Sequence, residues 1–176
     1  GGFSADGREY VIYRTPMAPW CNVIANPQAG FLVSEGGGGY TWVGNSGENR
    51  LTAWRNDPVS DQPAEAIYLR DEDTTALWSA TPQPAGAGQS YLVRHGAGYT
   101  IFQHHRHHCR HELRLFMVPD APVKLLHLRL ENMAPRPRRV TVTFYVEWAL
   151  GVERSATQQY IVSAYDEEAH ALLARN

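Results

Sequence analysis

Alternation of apolar and polar residues at every second position is the dominant pattern along this chain. It is clearest at residues 140–148, where two sets of side chains occupy opposite faces: Val140, Val142, Phe144, Val146 and Trp148 against Thr141, Thr143, Tyr145 and Glu147. Period-two alternation rich in β-branched and aromatic residues predicts a strand. Residues 123–131 alternate in the same way, and residues 132–137 have turn chemistry. These two strands are therefore predicted to pair as antiparallel neighbours.

Shorter strand patterns recur through the rest of the chain, at residues 8–13, 31–34, 66–70, 77–78, 90–94 and 112–118. Glycines 36–39, the acidic residues 71–73 and the stretch 82–88 predict turns or loops between them. Residues 166–173 fit either one or two helical turns or a turn that leads into a last strand. Many short strands with closely spaced turns and little helix predict an all-β, antiparallel β-sandwich.

Composition places the chain among globular domains. Its 176 residues are 43% hydrophobic and 19% charged, which predicts one domain over residues 1–176. The formal net charge of -2 excludes a basic footprint for nucleic acid. Lys124 is the only lysine among 16 basic residues, a bias that we attribute mainly to codon usage.

The targeting and redox signals are sparse. Cys21 and Cys109 lie far apart and match no metal spacing, so we interpret them as unrelated buried thiols in a reducing compartment. No apolar run approaches the ~20 residues of a membrane span, and no signal peptide is recognisable. Because the chain opens on Gly1 without an initiator Met, we expect an excised fragment of a larger multidomain enzyme. The expected location is cytoplasmic, which includes the cytoplasmic part of an inner-membrane protein.

Residues 42–61, here called segment 42–61, form the most informative polar stretch. Sugars require flat apolar surfaces for their C–H faces and planar polar groups for their hydroxyls, and this segment supplies both: Trp42 and Trp54 for stacking, and Asn45, Asn49, Arg50, Asn56 and Asp57 for hydrogen bonds. Long polar segments on a β scaffold commonly carry function. The alternative is that these groups brace one another and hold the segment folded.

The run of residues 103–111 holds five histidines and Cys109, which raises the question of a metal site. In a continuous strand His105, His107, Cys109 and His111 would share one face, while His104 and His108 would lie on the other. The interspersed arginines, Arg106 and Arg110, disfavour a cation. We therefore expect a histidine-rich exposed strand edge or hairpin and assign no metal ligands.

No catalytic group is nominated from the residues. Glycosidases need two carboxyl groups about 5–10 Å apart, and sequence gives no such geometry. The serines lack a nucleophile-elbow context, and glycines 36–39 are followed by no Lys-Ser/Thr, which argues against a phosphate loop.

Several motifs in order resemble the amino-terminal domain of glycoside hydrolase family 94, the glycosyltransferase 36-like enzymes. They are Trp20-Cys21-Asn22-Val23-Ile24-Ala25-Asn26-Pro27, Gly30-Phe31-Leu32-Val33-Ser34-Glu35, Tyr40-Thr41-Trp42, Arg50-Leu51-Thr52, Asn56-Asp57-Pro58, Arg94-His95-Gly96-Ala97-Gly98-Tyr99 and Tyr145-Val146-Glu147-Trp148-Ala149-Leu150-Gly151. Within the family, residues 1–10 and 68–71 most resemble the phosphorylase region of cyclic β-1,2-glucan synthases.

The resemblance implies a β supersandwich with a galactose mutarotase-like fold, which precedes a helical linker and an (α/α)₆ barrel. In such enzymes the barrel carries the catalytic acid and binds phosphate as co-substrate, so the chain itself is expected to have no catalytic residue and no cofactor. The domain shapes the sugar cleft and helps to form a dimer. The implied partners are a β-glucan or oligosaccharide, the enzyme's own downstream barrel and a second copy, but no nucleic acid.

By the same resemblance, segment 42–61 faces the barrel. Arg50, Asn56 and Asp57 are then the best candidates for hydrogen bonds, and Trp42 and Trp54 for stacking. The chain departs from the family pattern where Gly47 replaces Arg, Ala53 and Arg55 replace Pro and Ser, and His108-Cys109 replace Gly-Ile. The loss of a guanidinium at position 47 weakens the site.

Two other functions remain open from sequence. One is an autonomous carbohydrate-binding module for β-glucans with Trp42 and Trp54 as its platform. The other is a mutarotase-like enzyme, which would require His95 and Glu147 to converge in one cleft.

Overall fold

The structure is a computed structural model that describes residues 1–86 and 90–176. It consists almost entirely of antiparallel strands, with 2% helix. The strands are β1 Gly2–Phe3, β2 Glu9–Ile12, β3 Cys21–Ala25, β4 Ala29–Ser34, β5 Gly39–Val43, β6 Arg50–Thr52, β7 Glu65–Asp71, β8 Leu77–Ser79, β9 Leu92–Gly96, β10 Tyr99–Arg106, β11 Cys109–Met117, β12 Lys124–Asn132, β13 Val140–Val146, β14 Trp148–Gly151, β15 Val162–Asp166 and β16 Ala171–Arg175. The helix α1 spans Arg154–Thr157.

The strands form four antiparallel sheets. A six-stranded sheet has the order β1-β2-β9-β10-β11-β12, a five-stranded sheet β14-β6-β5-β4-β3, and a three-stranded sheet β13-β7-β8, while β15 and β16 form a separate hairpin. Apolar side chains from the first three sheets meet in one core. The predicted all-β sandwich with little helix is therefore confirmed.

The core is built from residues that alternate inward along their strands. Phe31, Leu69, Trp78 and Phe102 are fully buried and come from β4, β7, β8 and β10. Burial of each such side chain contributes about 1.5–3 kcal/mol. The core therefore fixes the six-stranded sheet against the other two.

The predicted pairing of residues 123–131 with residues 140–148 is wrong. Strand β12 pairs with β11 at the edge of the six-stranded sheet, whereas β13 pairs with β7 at the edge of the three-stranded sheet. The connection between them crosses from one layer to the other. Alternation records which face of a strand is apolar, but it does not record which neighbour the strand pairs with.

Other details refine the predicted elements. Residues 166–173 complete a hairpin turn and enter β16, so the strand alternative holds there and the helical one does not. Segment 42–61 is less irregular than expected because it contains the end of β5 and all of β6. The predicted loop 82–88 is a turn up to Gly86, and residues 87–88 lie outside the described residues. Cys21 is exposed and Cys109 is buried, and both are free thiols.

Glycines 36–39 form a tight turn around the carboxyl group of Asp61. A Cβ added at Gly38 would lie 2.1 Å from Asp61 Oδ1, and one at Gly36 would lie 2.6 Å from Asp61 Oδ2. The hydroxyl of Ser34 donates a hydrogen bond to the same carboxyl group. The glycine run is therefore a structural turn, as predicted, and it anchors the carboxyl end of segment 42–61.

The sole lysine lies in a polar cluster inside the sandwich. Lys124 Nζ is 2.6 Å from Glu65 Oε2 and also donates to the hydroxyl of Thr41 at 3.1 Å. Glu65 Oε1 accepts hydrogen bonds from the hydroxyls of Thr41 and Thr52. Lys124 Nζ also lies 4.4 Å from the ring centroid of Phe31. The cluster joins β12 of one layer to β4, β5, β6 and β7 of the other.

The Glu65 carboxyl group is held charged by its partners. Burial alone would raise its pKa, but the charge and hydrogen bond of Lys124, with the hydroxyls of Thr41 and Thr52, outweigh burial and lower the pKa below its usual value.

No helix among residues 1–86 and 90–176 is long and apolar enough to cross a membrane.

Lys124→Met should destabilise the fold strongly, by about 3–5 kcal/mol, because it leaves the Glu65 carboxylate buried and unpaired. The double variant Glu65→Gln/Lys124→Met should recover at least half of that loss. Urea unfolding measures the free energy of unfolding of both variants.

As a control, Arg110→Met removes the 3.3 Å pair between Arg110 and Glu131. The two side chains are 57% and 44% exposed, so this change should cost under about 1 kcal/mol. Equal losses in Lys124→Met and the double variant would contradict the prediction.

The His107-His108 turn between β10 and β11 is a second test of the fold. Both residues have positive φ, 50° and 57°, as a two-residue type I′ turn requires. A left-handed backbone conformation costs a residue with a side chain about 1–2 kcal/mol. Glycine avoids this cost, but its greater freedom in the unfolded chain cancels roughly half of the gain. The change His107→Asn/His108→Gly should therefore raise stability by about 1 kcal/mol, read as a higher Tm. A lower Tm would show that the histidine side chains stabilise the turn.

Candidate functional site

Three residues of segment 42–61 meet beside Tyr40 in an aromatic cluster, here called the Trp54 cluster (Tyr40, Trp42, Arg50 and Trp54). The rings of Tyr40 and Trp54 are stacked, with centroids 4.7 Å apart and planes inclined by 17°. The Trp42 ring lies 5.3 Å from Tyr40. The Arg50 guanidinium lies over both Tyr40 and Trp54, at 5.4 and 5.7 Å. The cluster thus combines a flat apolar surface with a charged, planar donor.

Local strand geometry explains how these side chains meet. Tyr40 and Trp42 are alternate residues of β5 and so share one face of the sheet. Arg50 on β6 is the register partner of Trp42. On the other side Trp42 is opposite Gly30, where an added Cβ would lie 2.5 Å from the indole ring. Gly30 therefore leaves the space that the Trp42 ring occupies.

Trp54 and Arg50 also line a groove of about 370 Å³, here called the arginine groove. Arg55 and Arg154 contribute two more guanidinium groups, and Ala53, Ala149, Val152, Glu153, Ser155 and Gln158 complete the wall. Arg55 donates to Glu147 at 3.3 Å, whereas Arg154 donates to Gln158 at 2.7 Å and lies 4.0 Å from Glu147. The volume is in the range of small-molecule sites.

The candidates Asn45 and Asn49 brace the chain locally. Asn45 Oδ1 accepts hydrogen bonds from the backbone N–H groups of Gly47 and Glu48, and Asn49 Nδ2 donates to the carbonyl of Val43. These bonds close the exposed turn between β5 and β6. For these two residues the structure favours the bracing alternative.

Asp57 also braces its own turn. It accepts the hydroxyl of Ser60 at 2.6 Å and the backbone N–H of Val59 at 2.9 Å. The hydroxyl, followed by the amide, lowers the pKa of Asp57, so the carboxyl group stays ionised. Asn56 beside it is exposed with φ of 49°, and it does not line the arginine groove.

The structure therefore brings together Trp42, Arg50 and Trp54, of which Arg50 and Trp54 line the arginine groove. Trp42 and the other four candidates do not line it. Sequence reasoning missed Tyr40, Arg55 and Arg154. Tyr40 carried a usable signal, because it alternates with Trp42 on the same strand. Arg154 lies about 100 residues away in sequence, and no local pattern connects it to Trp54.

The histidine run forms a hairpin, as predicted, but part of it is buried rather than exposed. His104 and His111 are directly opposite in the β10–β11 ladder, and their side chains are 6% and 1% exposed. Tyr91 stacks on His104 with ring centroids 4.0 Å apart. The two-residue turn changes the alternation, so that His104, Cys109 and His111 point inward and His105 outward. No group of three metal-ligating side chains occurs in the part of the chain that the structure describes.

His95 and Glu147 are not brought together. His95 contacts the carbonyl of Trp20 and the hydroxyl of Thr100, both at 3.0 Å, while Glu147 contacts Arg55 at the arginine groove. No hydrogen bond joins the two side chains among the described residues, and each has other partners, so the convergent pair that a mutarotase-like enzyme requires is not formed.

The chain matches the family model described as glycosyl hydrolase 94, supersandwich domain, over residues 8–176. It is 38% identical over 184 residues to the cyclic beta-(1,2)-glucan synthase NdvB of Rhizobium meliloti (strain 1021), with 100% of this chain and 6% of that protein covered. It is 31% identical over 169 residues to the N,N'-diacetylchitobiose phosphorylase of Vibrio furnissii, covering 94% and 21%. It is 27% identical over 188 residues to the solabiose phosphorylase of Paenibacillus borealis, covering 100% and 24%. The chain thus spans less than a quarter of the length of these relatives.

Acid should destabilise the protein through His111. Burial, offset in part by the hydrogen bond to the Ala80 carbonyl, lowers its pKa to about 4. Because the unfolded chain takes up the proton near pH 6.5, stability is lost as the pH falls from about 6.5 towards 4, by up to about 3 kcal/mol.

The variant His111→Gln tests this, since its amide can still donate to the Ala80 carbonyl. Between pH 7 and pH 5 the wild type should lose about 2 kcal/mol more unfolding free energy than His111→Gln, by urea titration at both values. Parallel losses in the two proteins would contradict the assignment.

Proposed function

Because the chain belongs to the supersandwich domain family of glycosyl hydrolase 94, we propose that it is the non-catalytic, carbohydrate-handling domain of a β-glucan phosphorylase or cyclic β-1,2-glucan synthase. Its role is to shape the sugar cleft and to contact the (α/α)₆ barrel of the same enzyme or a second copy. Phosphate is then a co-substrate of that barrel, and this chain supplies no cofactor site. The proposed location is the cytoplasm, including the cytoplasmic part of a membrane-bound enzyme.

The observation that carries this proposal is the stack of Tyr40 and Trp54 beneath Arg50 at the arginine groove. The indole offers a flat apolar surface for the C–H face of a sugar, while the guanidinium groups offer paired donors for hydroxyls. Arg55, bonded to Glu147, and Arg154, bonded to Gln158, extend the donors along the groove. The same groups can equally contact carbonyls and carboxylates of a neighbouring barrel loop.

The distribution of exposed apolar side chains supports a role inside a larger protein. Exposed apolar residues concentrate from β12 onward: Leu125, Leu130, Val142, Phe144, Tyr145, Val162, Tyr165, Leu172 and Leu173. Exposed apolar side chains at this density are typical of a domain that contacts another one. The hairpin β15–β16 pairs only with itself, and an isolated hairpin is at best marginally stable in water. Burial of this surface by a further domain explains both features.

An autonomous carbohydrate-binding module is the second candidate. The size of the arginine groove favours it, because about 370 Å³ is enough for a bound sugar unit. Trp42 is a weaker part of the platform than expected, since its ring packs against Gly30.

The proposal predicts that Trp54→Ala in the enzyme that contains this domain raises the KM for a β-1,2-glucan oligomer about tenfold, because loss of one stacking contact costs about 0.5–1.5 kcal/mol and burial is lost with it. Phosphate-dependent release of sugar phosphate measures it. Arg70→Ala is the matched control: this exposed residue lies on β7, away from the groove, and should leave KM unchanged.

Two further outcomes separate the candidates. Release of sugar phosphate by the 176-residue chain alone would contradict a non-catalytic domain. Binding of β-1,2-glucose oligomers by the chain alone that is lost in Trp54→Ala would favour the autonomous module over the cleft-shaping role.

A further inference from the structure

A second groove, of about 620 Å³, lies near the β10–β11 turn. It is lined by outward-facing side chains of β10, β11 and β12 (Gln103, His105, Arg110, Glu112, Arg129 and Glu131) and by Tyr13, Ser90, Tyr91, Leu92, His104 and His111. It is here called the outer groove. It shares no lining residue with the arginine groove, which is built from β6, β14 and α1. Nothing in segment 42–61 contributes to it, so its chemistry has to be explained separately.

The floor of the outer groove is a regular grid of planar polar side chains on three adjacent strands. One row across β10, β11 and β12 is Gln103, Glu112 and Arg129, and the next is His105, Arg110 and Glu131. Neighbours within a row are separated by the strand spacing of about 4.8 Å, and the rows by two residues, about 7 Å. Tyr13, whose side chain is 56% exposed, stands at the margin.

The grid holds its groups in fixed orientations and leaves one donor available. Gln103 Nε2 donates to Glu112 Oε2 at 2.7 Å, and Arg110 Nη1 lies 3.3 Å from Glu131 Oε2. The Arg129 guanidinium makes no hydrogen bond or salt bridge to any residue of 1–86 or 90–176, although Glu112 is its register partner. The groove therefore offers acceptors on Glu112, which Gln103 and Arg114 already contact, and on Glu131, beside the unpaired guanidinium of Arg129.

The charge balance of the grid decides which class of ligand it suits. Within the grid, Arg110 and Arg129 are offset by Glu112 and Glu131. Beside it, Arg114 and Arg94 lie 3.6 and 4.0 Å from Glu112, and Glu9 pairs with Arg94 at 3.4 Å, so these neighbours add a net positive charge of one, which is a weak attraction for a nucleic acid or another polyanion. The grid itself carries no apolar side chain for a lipid. A neutral, hydroxyl-rich molecule can both donate to the carboxylates and accept from the guanidinium, while the Tyr13 ring can cover a C–H face.

We propose that the outer groove is a second saccharide-binding site, which takes a neutral oligosaccharide lengthwise across β10, β11 and β12. The volume allows more than one sugar unit. This inference goes beyond the role proposed for the arginine groove, because it requires no barrel and no part of segment 42–61. In a glucan-processing enzyme such a site holds a distant part of the chain while another part occupies the cleft.

The test is titration of the 176-residue chain with linear β-1,2-linked glucose oligomers of two to six units. Binding is measured by calorimetry and by the shifts of backbone amide NMR signals. We expect millimolar or tighter binding, with shifts concentrated in β10, β11 and β12. Arg129→Ala should weaken binding about tenfold, which corresponds to the loss of one charged hydrogen bond. Tyr13→Ala should weaken it by a similar factor. Arg70→Ala should not change it, and all three variants should keep the wild-type Tm.

The outcomes distinguish this site from the arginine groove. Binding that survives Trp54→Ala and is weakened in Arg129→Ala supports the outer groove and does not bear on the cleft-shaping role. Binding that is lost in Trp54→Ala and unchanged in Arg129→Ala overturns the outer groove and favours the autonomous module. The absence of any shift in β10–β12 at 10 mM oligomer also overturns it, as does tighter binding of a sulfated oligosaccharide than of the neutral one.

Discussion

The contact between Lys124 and Glu65 is the constraint on which the relative position of the two layers depends. It joins the edge strand β12 of the six-stranded sheet to β7 at a separation of 2.6 Å, inside the sandwich. The hydroxyls of Thr41 and Thr52 satisfy the remaining oxygen of Glu65. Because a buried charge is tolerated only when it is paired and hydrogen-bonded, this arrangement is specific to one position of β12 over β5, β6 and β7.

The same cluster shows what composition can and cannot reveal. A single lysine among many arginines was attributable to codon usage, yet the structure places that lysine in the interior. An ammonium group on an unbranched stem fits beside Phe31, Thr41 and Glu65 as a compact charge, whereas a planar guanidinium requires a wider, flat site. Amino-acid composition could not predict the need for lysine here, because that need arises from the shape of one buried position.

The alternation of residue types along the chain predicted most of the strands and turns. It did not predict which strands pair when they are distant in sequence. The strand β13 was predictable because Val140, Val142 and Phe144 alternate with threonines, although Val142 and Phe144 remain 47% and 51% exposed. Its partner β7 was missed because strands consecutive in sequence commonly pair, whereas here the connection changes layers. The histidine run shows the same limit: a hairpin was predictable, but the His107-His108 turn shifted the alternation and buried His104 and His111.

The candidate site shows the same difference between what residue type predicts and what depends on the fold. Trp42, Arg50 and Trp54 could be chosen from residue type, since stacking and planar hydrogen bonding are properties of the side chains themselves. Asn45, Asn49 and Asp57 also carry planar polar groups suited to sugar hydroxyls. In the structure, however, these groups form hydrogen bonds with backbone groups a few residues away. Arg55 and Arg154 join the site through long-range contacts: Arg55 bonds Glu147, at the junction of β13 and β14, and Arg154 lies 4.0 Å from the same carboxyl group. The proposed saccharide contacts therefore depend less on which polar residues are present than on which of them the backbone leaves unused.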